Sequence, residues 1–247
     1  MGKRMNDGPV VLITSATQYV GPASVSRLSR SGARIVAQDA AFSDPSVRQS
    51  FIADRPGITA SGLTEPDDIV AAALAAHGRI DAVVSNDDAP AIRAVLEDAK
   101  IDDFRAGLEA MMVRPFALAK AVVKPMKRQG GGRIVFITSA APFRGLANYS
   151  MYAAARGGAN ALTLTLSREL APHNILVNAV APNYVENPSY FPPALLADPA
   201  SRAKIERNIP LGRLGKPEEV GALVEFFATG DCGFVTGHVV PIAGGWA

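Results

Sequence analysis

Short β-branched runs alternate with longer stretches of helical period along this 247-residue chain, and that alternation restricts it to repeated βαβ units. Runs at 10–14, 34–38, 58–61, 82–85, 133–138, 175–180 and 238–242 predict strands. Between them, helices are predicted from the turn after residue 14 to about 31, and over 45–53, 66–77, 102–129, 152–171 and 216–229. Gly78 closes the 66–77 helix, and the glycines at 130–132 end the 102–129 helix. The expected architecture is α/β: a doubly wound parallel sheet covered by helices on both faces, in a single domain over 1–247.

The composition fits a chain that builds its own core. Charged residues make up 19% against a usual quarter, and 48% are apolar. A chain of this length buries roughly 70–75% of its unfolded surface, so it needs no disulfide or metal staple. Cys232 is the single cysteine, which excludes an internal disulfide and a cysteine-based zinc cluster. His77, His173 and His238 are scattered, so neither a serine-hydrolase triad nor a histidine metal site is supported, and no metal is expected. The balance of 25 Lys+Arg against 23 Asp+Glu, net +2, argues against nucleic acid as a partner. Arg27, Arg30 and Arg34 read as a solvated face.

Lys3 and Arg4 imitate the start of a leader peptide, but Asp7, Gly8 and Pro9 intervene and the apolar run at 10–13 is too short. The uncharged stretch 8–26 is broken by Gly, Pro, Gln and hydroxyl residues and does not suit a bilayer span. No membrane partner is expected, and the chain reads as cytoplasmic.

In parallel sheets ligands bind beyond the carboxyl ends of the strands. Functional residues should therefore follow Thr14, Ser85, Thr138 and Val180. The segment 182–210, with six prolines, reads as an active-site loop with room for one short helix.

Ser139 stands at the end of the 133–138 strand, Tyr152 thirteen positions later, and Arg156 one helical turn beyond it. Tyr and Arg at i, i+4 share a helix face. A phenol ionises near pH 10, and a fixed cation beside it favours the phenolate; a hundredfold gain takes about 2.7 kcal/mol of differential stabilisation. Tyr152 then suits a general base for a hydroxyl, and Ser139 suits an anchor for the substrate oxygen. Spacing alone leaves open a chance grouping on a surface helix.

With these residues the chain resembles the short-chain dehydrogenase/reductase superfamily over nearly its whole length, which implies a Rossmann-like fold. Two departures stand out. The oxidoreductases of that superfamily carry Lys where Arg156 stands, and a planar fork does not replace a compact ammonium. They also place T-G-x-x-x-G-x-G after the first strand, where glycines admit a pyrophosphate. Here the turn reads Thr14-Ser15-Ala16-Thr17-Gln18-Tyr19-Val20-Gly21, with a bulky ring where the phosphates would lie. Asp39, at the position of a ribose-binding acid, reads as a remnant or a helix cap, and Met111 and Met112 as core fillers.

Both departures together resemble the halohydrin dehalogenases, in which a Ser-Tyr-Arg triad accompanies an aromatic residue in the first turn. That resemblance implies removal of a proton from a vicinal haloalcohol by Tyr152, closure to an epoxide with loss of halide, and no cofactor. It further implies the reverse ring opening by azide, cyanide or nitrite, and a homotetramer built through the helices at 102–129 and 152–171. The expected anion seat is the backbone N–H groups of Tyr184 and Val185, walled by Tyr19, Pro182, Asn183 and Phe191, with Asp87 hydrogen-bonded to Asn183 from behind. Asp88 reads as a turn residue. The alternatives are an NAD(P)-dependent oxidoreductase with a degenerate nucleotide turn and a catalytically silent binding protein.

Overall fold

The structure, a computed structural model, describes residues 8–247. Lys3, Arg4 and Asp7, read above against a leader peptide, lie outside the described residues. One sheet of seven strands runs through the molecule: β1 (Val10–Ile13), β2 (Arg34–Gln38), β3 (Ile58–Ser61), β4 (Ala82–Ser85), β5 (Gly132–Ile137), β6 (Ile175–Pro182) and β7 (Val239–Ile242). Their order is β3-β2-β1-β4-β5-β6-β7, and every pairing is parallel. The fold is α/β and Rossmann-like, as expected. The order reverses between β1 and β4, which places the ligand crevice beyond their carboxyl ends.

Among the described residues ten α-helices connect and cover the strands: α1 (Gly21–Arg30), α2 (Pro45–Ile52), α3 (Pro66–His77), α4 (Ile101–Leu108), α5 (Arg114–Arg128), α6 (Ala141–Arg144), α7 (Ser150–Leu170), α8 (Pro193–Ala197), α9 (Pro199–Glu206) and α10 (Pro217–Thr229). Proline recurs in the first turn of many of them, where its missing N–H costs nothing and its fixed φ starts the helix.

Both sheet faces are dry. Val11 and Ile13 of β1 join Val25 and Leu28 of α1 and Val224 and Phe227 of α10 in one core. Val10 and Leu12 join Ile69 of α3, Val122 and Met126 of α5 and Leu166 of α7 in the other. Each buried aliphatic side chain contributes about 1.5–3 kcal/mol, so a strand between two cores has no use for polar alternates. At Gly221 a Cβ would come within 3.2 Å of the Ala23 carbonyl oxygen, and its absence lets α1 and α10 pack closely.

Two predicted elements are corrected and one helix is added. The 102–129 helix is α4 and α5 joined by a π turn, Glu109–Val113, in which the Arg114 N–H bonds the Glu109 carbonyl five residues back. Pro115 supplies the reason, since it has no N–H to give and its ring crowds the preceding turn; one extra residue relieves both. The 182–210 segment holds two short helices, α8 and α9, where one was expected, each opened by a proline. The short α6, between Ser139 and Tyr152, was not foreseen. No helix among the described residues is long and apolar enough to cross a membrane.

Candidate active site

The turn after β1 keeps the backbone of a glycine turn without the glycines. Ser15 (φ +48°) and Tyr19 (φ +47°) both occupy the left-handed region, at the two positions where the reductase pattern has Gly. Each such placement costs a side-chain-bearing residue roughly 1–2 kcal/mol. The turn persists because its polar groups are held from outside: Asn86 donates through Nδ2 to the carbonyls of Ser15 (3.0 Å) and Gln18 (2.9 Å). Gly21, the glycine that does remain, is required by contact, since a Cβ there would meet the Ser15 and Ala16 carbonyl oxygens at 2.6 and 2.7 Å. Asp39 accepts from the Thr17 N–H and hydroxyl and caps the short helical segment Ala40–Ser43 through the Ala41 N–H. The cap reading of Asp39 agrees with this.

Tyr152 lies in the first turn of α7 and Arg156 one turn on, with the guanidinium 5.6 Å from the centre of the phenol ring. Arg156 is 1% exposed and tightly constrained. Its Nη1 donates to the carbonyls of Asp87 (3.0 Å) and Ile137 (2.9 Å), and its Nη2 to the Asp88 carboxylate at 2.6 Å. Nε is buried with no hydrogen-bond partner. Burial alone would disfavour the guanidinium's charge, but Tyr152 and Asp88 outweigh it and hold its pKa above the ordinary value.

Two further phenols complete the cluster. Tyr190 lies close enough to Tyr152 to interact with it electrostatically, and its ring meets Tyr19 edge-on at 6.3 Å between centroids. Burial, and then the neighbouring Tyr152, push the hydroxyls of both Tyr19 and Tyr190 well above the usual phenol range, with Arg156 opposing. Both stay neutral hydrogen-bonding groups across the physiological range.

Ser139 follows β5 and is buried. Its Oγ accepts the Ala141 N–H at 3.1 Å, and Asn160 donates to its carbonyl at 3.4 Å. No hydrogen bond joins Ser139 directly to Tyr152.

After β6 the chain makes a tight turn. Asn183 donates its N–H to Ile242, and its Oδ1 accepts the Tyr184 N–H at 2.8 Å. Tyr184 has φ +53°. Of the two N–H groups expected to face an anion, that of Tyr184 is thus taken by the preceding side chain, while that of Val185 has no protein acceptor among the described residues. The turn is braced from behind, where Gly215 donates to the Tyr184 carbonyl (2.9 Å) and Glu186 to that of Gly215 (2.8 Å). Pro182 ends β6, and the Phe191 ring stacks on Tyr184 at 6.2 Å. The Asp87 carboxylate accepts from the hydroxyls of Thr14 (3.0 Å) and Ser85 (2.6 Å). It ties β1 to β4, and no hydrogen bond links it to Asn183, which is engaged with Tyr184 and Ile242.

Comparison with known proteins finds relatives of two kinds. A family model described as enoyl-(acyl carrier protein) reductase matches residues 16–247. The 3-oxoacyl-[acyl-carrier-protein] reductase FabG of Thermotoga maritima is 33% identical, over 97% of this chain and 98% of its own. A solved structure described as a dehalogenation enzyme is 47% identical, with a TM-score of 0.94, covering 98% of this chain and 99% of that one. The halohydrin dehalogenase HheC bound to ethyl (2S)-oxiran-2-ylacetate is 38% identical, with a TM-score of 0.91 and 96% of each chain covered. The chain belongs to the halohydrin dehalogenase branch of the short-chain dehydrogenase/reductase family.

Within this halohydrin dehalogenase fold, two groups around Tyr152 and one beneath the β6 turn escaped the sequence reading. Asp88, a turn residue by its sequence setting, is the carboxylate on Arg156. A buried arginine requires such a partner, and that requirement was the available signal. Tyr190 sat unremarked in the proline-rich segment. Trp246 packs edge-on to Tyr184 at 5.6 Å, beneath the Arg144 guanidinium at 5.0 Å.

Proposed function

We propose that this protein converts vicinal haloalcohols to epoxides without a nicotinamide, and catalyses the reverse ring opening by small anions such as azide, cyanide or nitrite. The observation that carries the reading is the buried guanidinium of Arg156 beside Tyr152, facing a first turn that holds Tyr19 instead of glycine.

Tyr152, as phenolate, takes the hydroxyl proton of the substrate. The resulting alkoxide oxygen attacks the adjacent carbon, the carbon–halogen bond breaks, and halide leaves with the bonding pair. Ser139 is set to direct that oxygen: its Oγ already accepts from Ala141, so its own proton is free to be donated. The departing anion is received by the Val185 N–H between Tyr19, Pro182, Asn183, Tyr184 and Phe191, a seat that is partly apolar and so binds without holding fast. Asp87 keeps β1 and β4 in register beneath it. The assembly proposed is a homotetramer, supported by exposed Val113 and Phe116 near the start of α5 and Leu164 on α7.

The residues do not fit a nicotinamide dinucleotide. Tyr19 projects from the turn that would take the pyrophosphate and packs on Tyr190. Asp39 is engaged by Thr17 and Ala41, and Arg156 by two carbonyls and Asp88. The 33% identity to FabG keeps an NADPH-dependent reductase as the second reading.

The test is halide release from a simple vicinal bromoalcohol, followed without added nucleotide. Wild-type protein should release bromide and form the epoxide, and Tyr152→Phe should lose on the order of 10³-fold in rate. Equal rates for the two proteins would sink the proposal. Tight NADPH binding with no bromide release would favour the reductase.

A further inference from the structure

We propose that Asp88 is a positioning residue of this site: its carboxylate fixes the Arg156 guanidinium and balances its charge, so that Tyr152 works, and halide leaves, in a pocket with no net fixed charge. The inference deepens the haloalcohol reading above and rests on it for its catalytic consequences.

The two ends of the guanidinium are held differently. Nη1 meets two main-chain carbonyls, which orient it and carry no net charge. Nη2 meets Asp88 at 2.6 Å, the one salt bridge Arg156 makes among the described residues. Asp88 itself is 21% exposed and follows β4, so it reaches the cation from a loop, while Tyr152 reaches it from the same helix. A buried guanidinium without a carboxylate would be costly, and the partner chosen decides more than stability.

Arg156 on α7, Tyr19 after β1 and Tyr190 after β6 each interact with Tyr152, and Asp88, after β4, reaches it through Arg156. The Asp87 carboxylate is engaged by Thr14 and Ser85. Arg156 favours a phenolate, and the Asp88 carboxylate paired with the same cation opposes it. Both Tyr19 and Tyr190 register the two charges with opposite signs. Asp88 therefore offsets, at the phenol, part of the attraction that the guanidinium exerts. A halide ion, in return, meets a neutralised cation and is released more readily.

Asp88→Asn removes the charge and keeps an oxygen that Nη2 can bond. Phenolate absorbance near 295 nm, with the Tyr152→Phe protein subtracted, follows the ionisation of Tyr152 with no substrate present. In Asp88→Asn that titration should move about one pH unit lower, a roughly tenfold larger phenolate population at a given pH on the rising part of the curve. The rising limb of bromide release against pH should move with it, and bromide should inhibit several times more strongly. Asp88→Glu, which retains the charge, should titrate like wild type.

A folded Asp88→Asn protein whose titration matches wild type would overturn the proposal, since a purely structural aspartate would change the rate and leave the titration in place. If Asp88→Asn does not fold, Asp88→Ser provides the same readout with water admitted to the guanidinium. If neither neutral variant folds while Asp88→Glu folds and titrates like wild type, the charge pairing stands; failure of Asp88→Glu as well would overturn it. Absence of bromide release from wild type would count against the haloalcohol reading and leave the absorbance result to decide this one.

Discussion

The Asp39 carboxylate binds Thr17 twice, taking its N–H at 2.9 Å and its hydroxyl at 2.6 Å on the same oxygen, while the other oxygen takes the Ala41 N–H at 3.0 Å. An acid at the end of β2 thus ties down the first turn and starts the segment after it. Hydrogen bonds to a charged, buried acceptor are worth more than neutral ones. Asp39→Asn, which turns one oxygen into a donor facing donors, should cost about 2 kcal/mol in urea unfolding. A loss within error of zero would show that Asn86 and the Gln38 contacts hold the turn without it.

Tyr19→Gly restores a residue suited to φ +47° but removes a ring packed on Tyr190 and on the α1–α10 core. Relief of strain is worth about 1 kcal/mol, and glycine's extra chain entropy offsets most of it. Losing a partly buried aromatic costs more, about 2–3 kcal/mol. The variant should be destabilised by about 2 kcal/mol and still fail to bind NADPH, because Asp39 and Arg156 remain engaged. Thermal melts with and without NADPH check both statements; a rise of several degrees on adding the dinucleotide would revive the reductase reading.

What was legible in the sequence was whatever repeats locally. Val10 to Ile13 is apolar on both faces, so β1 and its place between two cores could be read directly. Ser139, Tyr152 and Arg156 follow one strand end and one helix face, and Thr14 through Gly21 is a contiguous turn. Asp88 could not be read this way, because its partner lies 68 positions away and only the fold brings the two together. Tyr190 has the same difficulty inside a segment with no period. The π turn at Glu109–Val113 is a response to Pro115 that a 3.6-residue pattern averages out.

Trp246 supports the proposed anion seat from below. Its ring is edge-on to Tyr184, and Arg144 lies over it while donating to its carbonyl at 2.9 Å. The side chain is buried with Ala140 and Ala243, so Trp246→Ala leaves a cavity as well as a loose Tyr184. The expected cost is about 3 kcal/mol of stability. Bromide inhibition should weaken severalfold, with the pH of the rising limb unchanged, since no charge near Tyr152 is altered. Bromide titration of the wild type and variant at one pH, together with both pH profiles, separates these effects.

The brace behind that seat is the bidentate pair of Arg213 and Glu219, with Nη1 and Nη2 at 2.9 and 2.7 Å from the two carboxylate oxygens. Glu219 also accepts the Lys216 N–H at 2.7 Å, closing the start of α10. Gly215, between them in the chain, carries the Tyr184 carbonyl, so the pair sets where the anion turn sits. Arg213 first, and then the Lys216 N–H, lower the Glu219 pKa from 4.5 to about 2. A carboxylate whose folded value lies below its unfolded one stabilises the fold above the unfolded value, and that contribution disappears as pH falls between about 4.5 and 2. Both side chains are near half exposed, so water screens the pair and the effect at neutral pH is about 1 kcal/mol or less. Glu219→Gln should therefore lose up to about 1 kcal/mol at pH 7 and nothing relative to wild type near pH 2, the two unfolding curves converging through that window. A constant difference from pH 7 down to pH 2 would mean that the amide disturbs packing at the head of α10 and that the ion pair adds nothing.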